Sequence, residues 1–206
     1  MPTKGPVMPI VRLVGWVAAL LAAVVIGIAA LTFMPVNATL PPCMRDWTSP
    51  SSFRFRASPL LSQKFRIGFG EARLCYGQPS AKGRPIFGNL VPFGELWRLG
   101  ANEPTRLYTT IPISIAGIDV PAGKYSLYAV PGASEWEIAV NNSTFHWGKD
   151  FSADVLRKEI ARATVQTKAT AGFVEALTMT TTAVQDTVLL VVEWERTRVE
   201  IPLVPR

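Results

Sequence analysis

The chain is poor in the residues that most often carry chemistry. Its 206 residues include one histidine, His146, and two cysteines, Cys43 and Cys75. Zinc needs three or four clustered N, S or O ligands, and His146 with Asp150 does not supply them. No metal site is expected. Ser143 and Thr144 lie beside His146, but a Ser–His nucleophile also needs an orienting acid and an oxyanion hole, and no G-x-S-x-G is present. Phe145-His146-Trp147-Gly148 reads as a turn with aromatic packing. There is no Walker loop and no dinucleotide fingerprint. Gly68 and Gly70 begin such a fingerprint, but Glu71-Ala72-Arg73 supplies no third glycine, and a strand bulge is the plainer reading. Neither a catalytic residue nor a cofactor is therefore expected. Charged residues make up only 17% of the chain, and no dense Lys/Arg patch is interleaved with aromatics, which argues against nucleic acid as a partner.

What is present is unevenly spread. Leu13 to Met34 holds no charged residue, a run of 22 against the ~20 that span a bilayer. A cleaved secretory signal is the rival reading, with Val36-Asn37-Ala38 as a poor cleavage site, but its apolar core is usually shorter. Residues 1–12 are then a cytoplasmic lead, 13–34 a transmembrane helix, 35–62 a linker and 63–206 the extracytoplasmic domain. Net charge is +6, of which Lys4 and Arg12 carry two, leaving four for the rest. Those two cations put the N-terminus in the cytoplasm and the domain in the periplasm or outside the cell. Small residues recur at four-residue spacing in the span (Gly15, Ala19, Ala23, Gly27), a face that allows close helix approach, although alanine is also common in membrane helices. In the linker, Trp47, Phe53 and Phe55 with Arg54 and Arg56 suit an interfacial belt; they suit packing on the domain equally. In an oxidising compartment Cys43 and Cys75 can pair; the alternative is a buried Cys75 and a free Cys43.

From Gln63 onward, short alternating runs are separated by Gly, Pro and Asn. They include Ile67/Phe69, Leu74/Tyr76, Ile111/Ile113/Ile115, Tyr125/Leu127/Ala129, Trp136/Ile138/Val140, Val188 to Trp194 and Val199/Ile201/Leu203. That pattern predicts an all-β antiparallel sandwich, jelly-roll or immunoglobulin-like. Ser152 to Ile160 alone reads as helical, capped by Ser152 with Val155, Leu156 and Ile160 inward.

Between the strands, Lys82 to Thr105 reads KGRPIFGNLVPFGELWRLGANEPT and has neither period. A long loop on a rigid scaffold is where binding sites tend to sit. Arg84, Trp97, Arg98, Asn102, Glu103 and Thr105 are its candidate site residues. One reading is a pocket for an anionic or sugar-like ligand with Trp97 as a stacking wall. The other is a structural lock, with Arg98–Glu103 pinning the loop and Trp97 filling the core. This stretch, with PAGKYSLYAVPG, EWEIAVNN and VVEWERTRVEIPL, resembles the DUF2911 family from about Ile67 to the C-terminus. The resemblance implies a secreted or membrane-attached β-sandwich and no mechanism. Gln78 departs from the family pattern, which usually has arginine there, so any ligand contact made by that arginine is in doubt here.

The expected function is a non-enzymatic accessory subunit of a larger membrane complex. Its partners are the lipid bilayer and other membrane subunits, met through the 13–34 helix and the surface of the β-domain. The alternatives are a small-ligand or glycan-binding module using the 82–105 loop and, last, a hydrolase.

Overall fold

In the computed structural model, residues 40–45, 56–148 and 151–206 are described. The expected lead, the 13–34 span and the aromatics of the interfacial belt lie outside the described residues. Among the described residues no helix is long and apolar enough to cross a membrane. Thr39–Arg206 forms one compact unit.

The described residues of that unit form nine strands and one short helix: β1 (Leu60–Ile67), β2 (Gly70–Gly77), β3 (Thr105–Thr109), β4 (Ile113–Ile115), β5 (Ile118–Val120), β6 (Gly123–Pro131), β7 (Glu135–Asn141), α1 (Ala153–Leu156), β8 (Glu159–Val184) and β9 (Thr187–Pro205). They pair in the order β1-β2-β3-β6-β7-β8-β9-β4-β5, antiparallel at every junction. The fold is an all-β antiparallel sheet.

Two long strands turn the sheet. The first part of β8 pairs with β7, and from Thr167 it pairs with β9, with register shifts between Ala169 and Val174 and between Val174 and Thr178. In β9, Val188, Leu190, Val192 and Trp194 are buried at even positions, then Val199, Ile201 and Leu203 at odd ones. Glu195, with φ +57°, stands where the alternation changes phase. One residue in a bulged conformation moves every later side chain to the opposite face, and here it keeps both halves of β9 facing the core.

The first two strands reach β8 directly. The Gln63 amide donates to the Met179 carbonyl (3.1 Å) and accepts from the Thr181 N–H (3.3 Å). The Tyr76 hydroxyl accepts from the Met179 N–H at 3.2 Å. Between them lies a core with four aromatic rings at its centre. Trp97 stacks on Trp194 at 6.0 Å and meets Trp136 edge-on at 5.9 Å, and Phe87 packs on Trp136 at 5.0 Å.

Several expectations change. The helix is only Ala153–Leu156; Leu156 and Ile160 are exposed. From Glu159 the chain is strand, and Ala161, Ala163 and Val165 pack on the core in a two-residue period. Phe69 is 86% exposed in the β1–β2 turn, because Gly68 takes φ +54° there and ends the strand. Ile111 precedes β4 rather than belonging to it. β1 begins at Leu60, inside the stretch expected as linker, and Cys43 is bonded to Cys75 with Cα atoms 5.6 Å apart.

Candidate functional site

The loop joining β2 to β3 is built into the domain at three points and folded on itself at a fourth. Trp97 exchanges two backbone hydrogen bonds with Ala129 (2.7 and 2.8 Å), an added rung beside β6. Val91 N–H closes on the Ile86 carbonyl at 2.9 Å, which folds Ile86 and Phe87 inward. At Gly77 a Cβ would lie 1.9 Å from the Ala101 carbonyl oxygen, and at Gly148 one would lie 2.3 Å from that of Asn102. Backbone meets backbone at both places, so neither position has room for a side chain.

The turn between these contacts is strained. Leu99 (φ +54°) and Asn102 (φ +65°) both adopt the left-handed region, which for a branched side chain such as Leu99 costs of order 1–3 kcal/mol. Leu99 is fully buried in compensation. Thr105 Oγ1 donates to the Leu99 carbonyl at 2.6 Å, and Asn102 Nδ2 donates to the Ser58 carbonyl at 3.2 Å. Trp97 Nε1 donates to the Gly100 carbonyl at 3.2 Å. Thr105 and Asn102 thus satisfy loop backbone, and Trp97 is a core residue, only 9% exposed, rather than an open stacking wall.

The ion pair of the loop is not the expected one. Glu103 accepts from Arg56 Nη2 at 2.5 Å, with side chains 1% and 6% exposed, and the Arg56 guanidinium lies 5.9 Å over the Trp147 ring. Arg56 belongs to the stretch read as a belt or linker, so distance along the chain hid the pairing. Arg98 is the neighbour of this pair rather than a member of it. Burial lowers its guanidinium below the usual value, opposed by the attraction of Glu103. Its Nε is buried without a hydrogen-bond partner among the described residues.

On the outer side of Arg98 a cavity of about 330 Å³ opens, lined by Lys82, Arg84, Arg98, Ser58, Ser80 and Asn102 among others. Three of the six sequence candidates, Arg84, Arg98 and Asn102, meet here; Glu103 and Thr105 lie beneath, and Trp97 belongs to the core. Arg84 is oriented by its own backbone, Nε on the Ala81 carbonyl and Nη2 on the Ser80 carbonyl, both at 2.9 Å. Glu175 accepts from the Lys82 backbone N–H at 2.8 Å. Among the described residues no carboxylate lies within 4.0 Å of the charged groups of Lys82, Arg84 or Arg98. Among the described residues that line this cavity none is a carboxylate, and two planar forks and an ammonium form a site suited to an anion.

The residues around His146 form a separate, closed cluster. His146 Nε2 lies 2.8 Å from the Tyr128 hydroxyl and 3.2 Å from the Ser143 carbonyl, and Nδ1 lies 3.0 Å from the Trp147 carbonyl. The ring meets the carbonyl of Ser143. The Ser126 hydroxyl donates to the same carbonyl at 2.7 Å. These bonds fasten the segment after β7 onto the sheet. Among the described residues no three His, Cys, Asp or Glu side chains gather as a metal site. Asp150 lies outside the described residues. Arg106 was not singled out by sequence: it is 1% exposed and donates from Nη1 to the Met44 carbonyl at 2.8 Å, beneath the disulfide-tied segment. Its place in a five-residue strand between buried Thr105 and Leu107 was the one signal available. Gln78 donates to the Leu177 carbonyl at 3.2 Å and so joins the loop to β8.

A family model described as "Protein of unknown function (DUF2911)" matches residues 58–203. The chain belongs to the DUF2911 family. No curated protein and no solved structure matches it. The DUF2911 match begins at Ser58, whose carbonyl holds Asn102, and it takes in every lining residue of the cationic cavity except Ala57.

Proposed function

We propose that the domain is a binding module for a small anionic ligand, held in the cavity formed by Lys82, Arg84 and Arg98. The single observation that carries this reading is three cations facing one cavity with no carboxylate among the described residues of its wall. Like charges brought together without counter-ions repel, and an anion relieves that repulsion while accepting the open donors. The rigid loop presents these donors in a fixed arrangement, which limits the ordering cost on binding.

In this reading the nine-stranded sheet is a β-sandwich of the jelly-roll or immunoglobulin-like kind, supported by the contacts of Gln63 and Tyr76 with Met179. The Cys43–Cys75 bond supports an oxidising compartment, and so a domain tethered outside the cytoplasm by the 13–34 helix. The accessory-subunit reading rests on that helix and on small-residue spacing, and no described residue bears on it. Anion binding takes its place because it has a built cavity behind it.

Thermal unfolding of the full chain at fixed ionic strength tests the proposal, with phosphate or succinate replacing chloride. A ligand at 100 times its dissociation constant stabilises the folded state by about 2.7 kcal/mol. The wild type is expected to melt higher in at least one of these anions, and the Lys82→Gln/Arg84→Gln variant to show no such gain. An equal gain in both proteins, or none with either anion, would overturn the reading.

A further inference from the structure

A second cavity adjoins the first. It measures about 390 Å³ and shares Leu90 and Arg98 with the cationic one. Its remaining wall carries the apolar side chains of Val91, Leu96 and Phe151 and the edge of Trp97, together with a similar amount of polar surface. The two spaces therefore share the Arg98 side chain as a wall. That side chain lies tight against Gly148, where a Cβ would stand 2.4 Å from Arg98 Cδ. Any side chain at 148 would displace the guanidinium from its place between the cavities. Among the described residues, one charged residue besides Arg98 lines this cavity, Glu95.

We infer that the ligand is an amphiphilic monoanion, its carboxylate or phosphate held by Lys82, Arg84 and Arg98 and its apolar body laid along Leu90, Leu96 and Phe151. This rests on the anion-binding reading above and adds its chemical class. Burying apolar surface in the second cavity adds affinity that a bare anion lacks. Glu95 sets the polarity of the site: a second negative charge at the far end of the ligand would meet a carboxylate, whereas a methyl or aromatic end would not. The site thus distinguishes the two ends of its ligand. Each cavity is within the size range of small-molecule sites, about 300–1,000 Å³.

The test is equilibrium dialysis of the full chain in zwitterionic nanodiscs, with empty nanodiscs subtracted. The probes are octanoate, octanedioate, acetate, 1-octanol and inorganic phosphate. Octanoate should bind at least about tenfold more tightly than acetate, octanedioate or octanol. Leu96→Gln, at a partly exposed position that lines only the second cavity, should reduce octanoate to the level of acetate and leave phosphate unchanged. Arg84→Gln, at an exposed position, should weaken octanoate and phosphate together; unchanged melting temperatures establish that both variants fold. If phosphate binds but octanoate is no tighter than acetate, the amphiphile inference fails and the anion-binding reading survives. If octanol binds as tightly as octanoate, the amphiphile inference fails and phosphate alone decides the anion-binding reading; if no anion binds, both fail. A phospholipid headgroup as the source of the anion is separated by adding phosphatidylglycerol to the nanodiscs. Displacement of bound octanoate would assign the same site to lipid, and lack of displacement would assign it to a free amphiphile.

Discussion

The loop between β2 and β3 and the β8–β9 ladder handle charge in opposite ways. Along β8 and β9 ion pairs lie at the surface: Lys168 and Arg198 bracket Glu200 at 2.5 and 2.9 Å, and Arg198 also reaches Glu193 at 2.7 Å. Beneath the loop, Arg56 and Glu103 are paired but buried; above it Lys82, Arg84 and Arg98 face a cavity without a carboxylate partner within salt-bridge reach. A ladder stabilised by its core has no need of buried charge, and its surface ions serve mainly solubility. A loop that is folded partly by buried charge can hold further cations at its surface in fixed positions. The contrast separates charge that maintains structure from charge left available to a ligand.

Breaking the buried pair should have the largest effect. Glu103→Gln leaves the Arg56 cation buried without its partner, and a loss of about 3–5 kcal/mol in denaturant unfolding is expected. The matching change in an exposed pair, Glu137→Gln opposite Arg162, should cost less than about 1 kcal/mol. Equal losses would erase the distinction between the two regions.

The disulfide comes next. It closes a loop of 32 residues, so replacing both cysteines with serine should lower stability by about 3–4 kcal/mol on chain-entropy grounds. The loss should appear equally in chemical unfolding of reduced wild type. Proteolysis should then cut first near residues 40–45, the segment that the bond ties to β2.

The smallest effect concerns pH. Glu200 titrates below the ordinary carboxylate range because Lys168, and then Arg198, hydrogen-bond to its ionised form. A lowered folded-state value means stability that is present above the unfolded carboxylate value, about 4.3, and is lost as pH falls through the folded one. Glu200→Gln should remove this acid-side dependence, worth less than about 1 kcal/mol, and leave stability at pH 7 to 9 nearly flat. A change of similar size at alkaline pH would contradict the assignment.

Alternation made the regular strands legible: Trp136, Ile138 and Val140, and Val188 to Trp194, point inward as their two-residue period requires. It failed where the backbone changes phase. The register shifts near Val174 conceal a 26-residue β8, whose start fell at the end of what read as a helix. The candidate site was half legible. Local composition selected Arg84, Arg98 and Asn102, which do meet at one cavity. Arg56 lies 47 positions from its partner Glu103, and no local pattern reports such a pairing. Phe151 lies beyond β7, and only the folded chain sets it opposite Leu90.

The account stands most directly on whether the three-cation cavity holds an anion. Equilibrium dialysis of radiolabelled phosphate against the full chain, at constant ionic strength, measures that. The prediction is saturable binding of one phosphate per chain, abolished in Lys82→Gln/Arg84→Gln and kept in Lys168→Gln, which removes a surface cation of the ladder. Binding that is absent, non-saturable or equally reduced by either variant would contradict it.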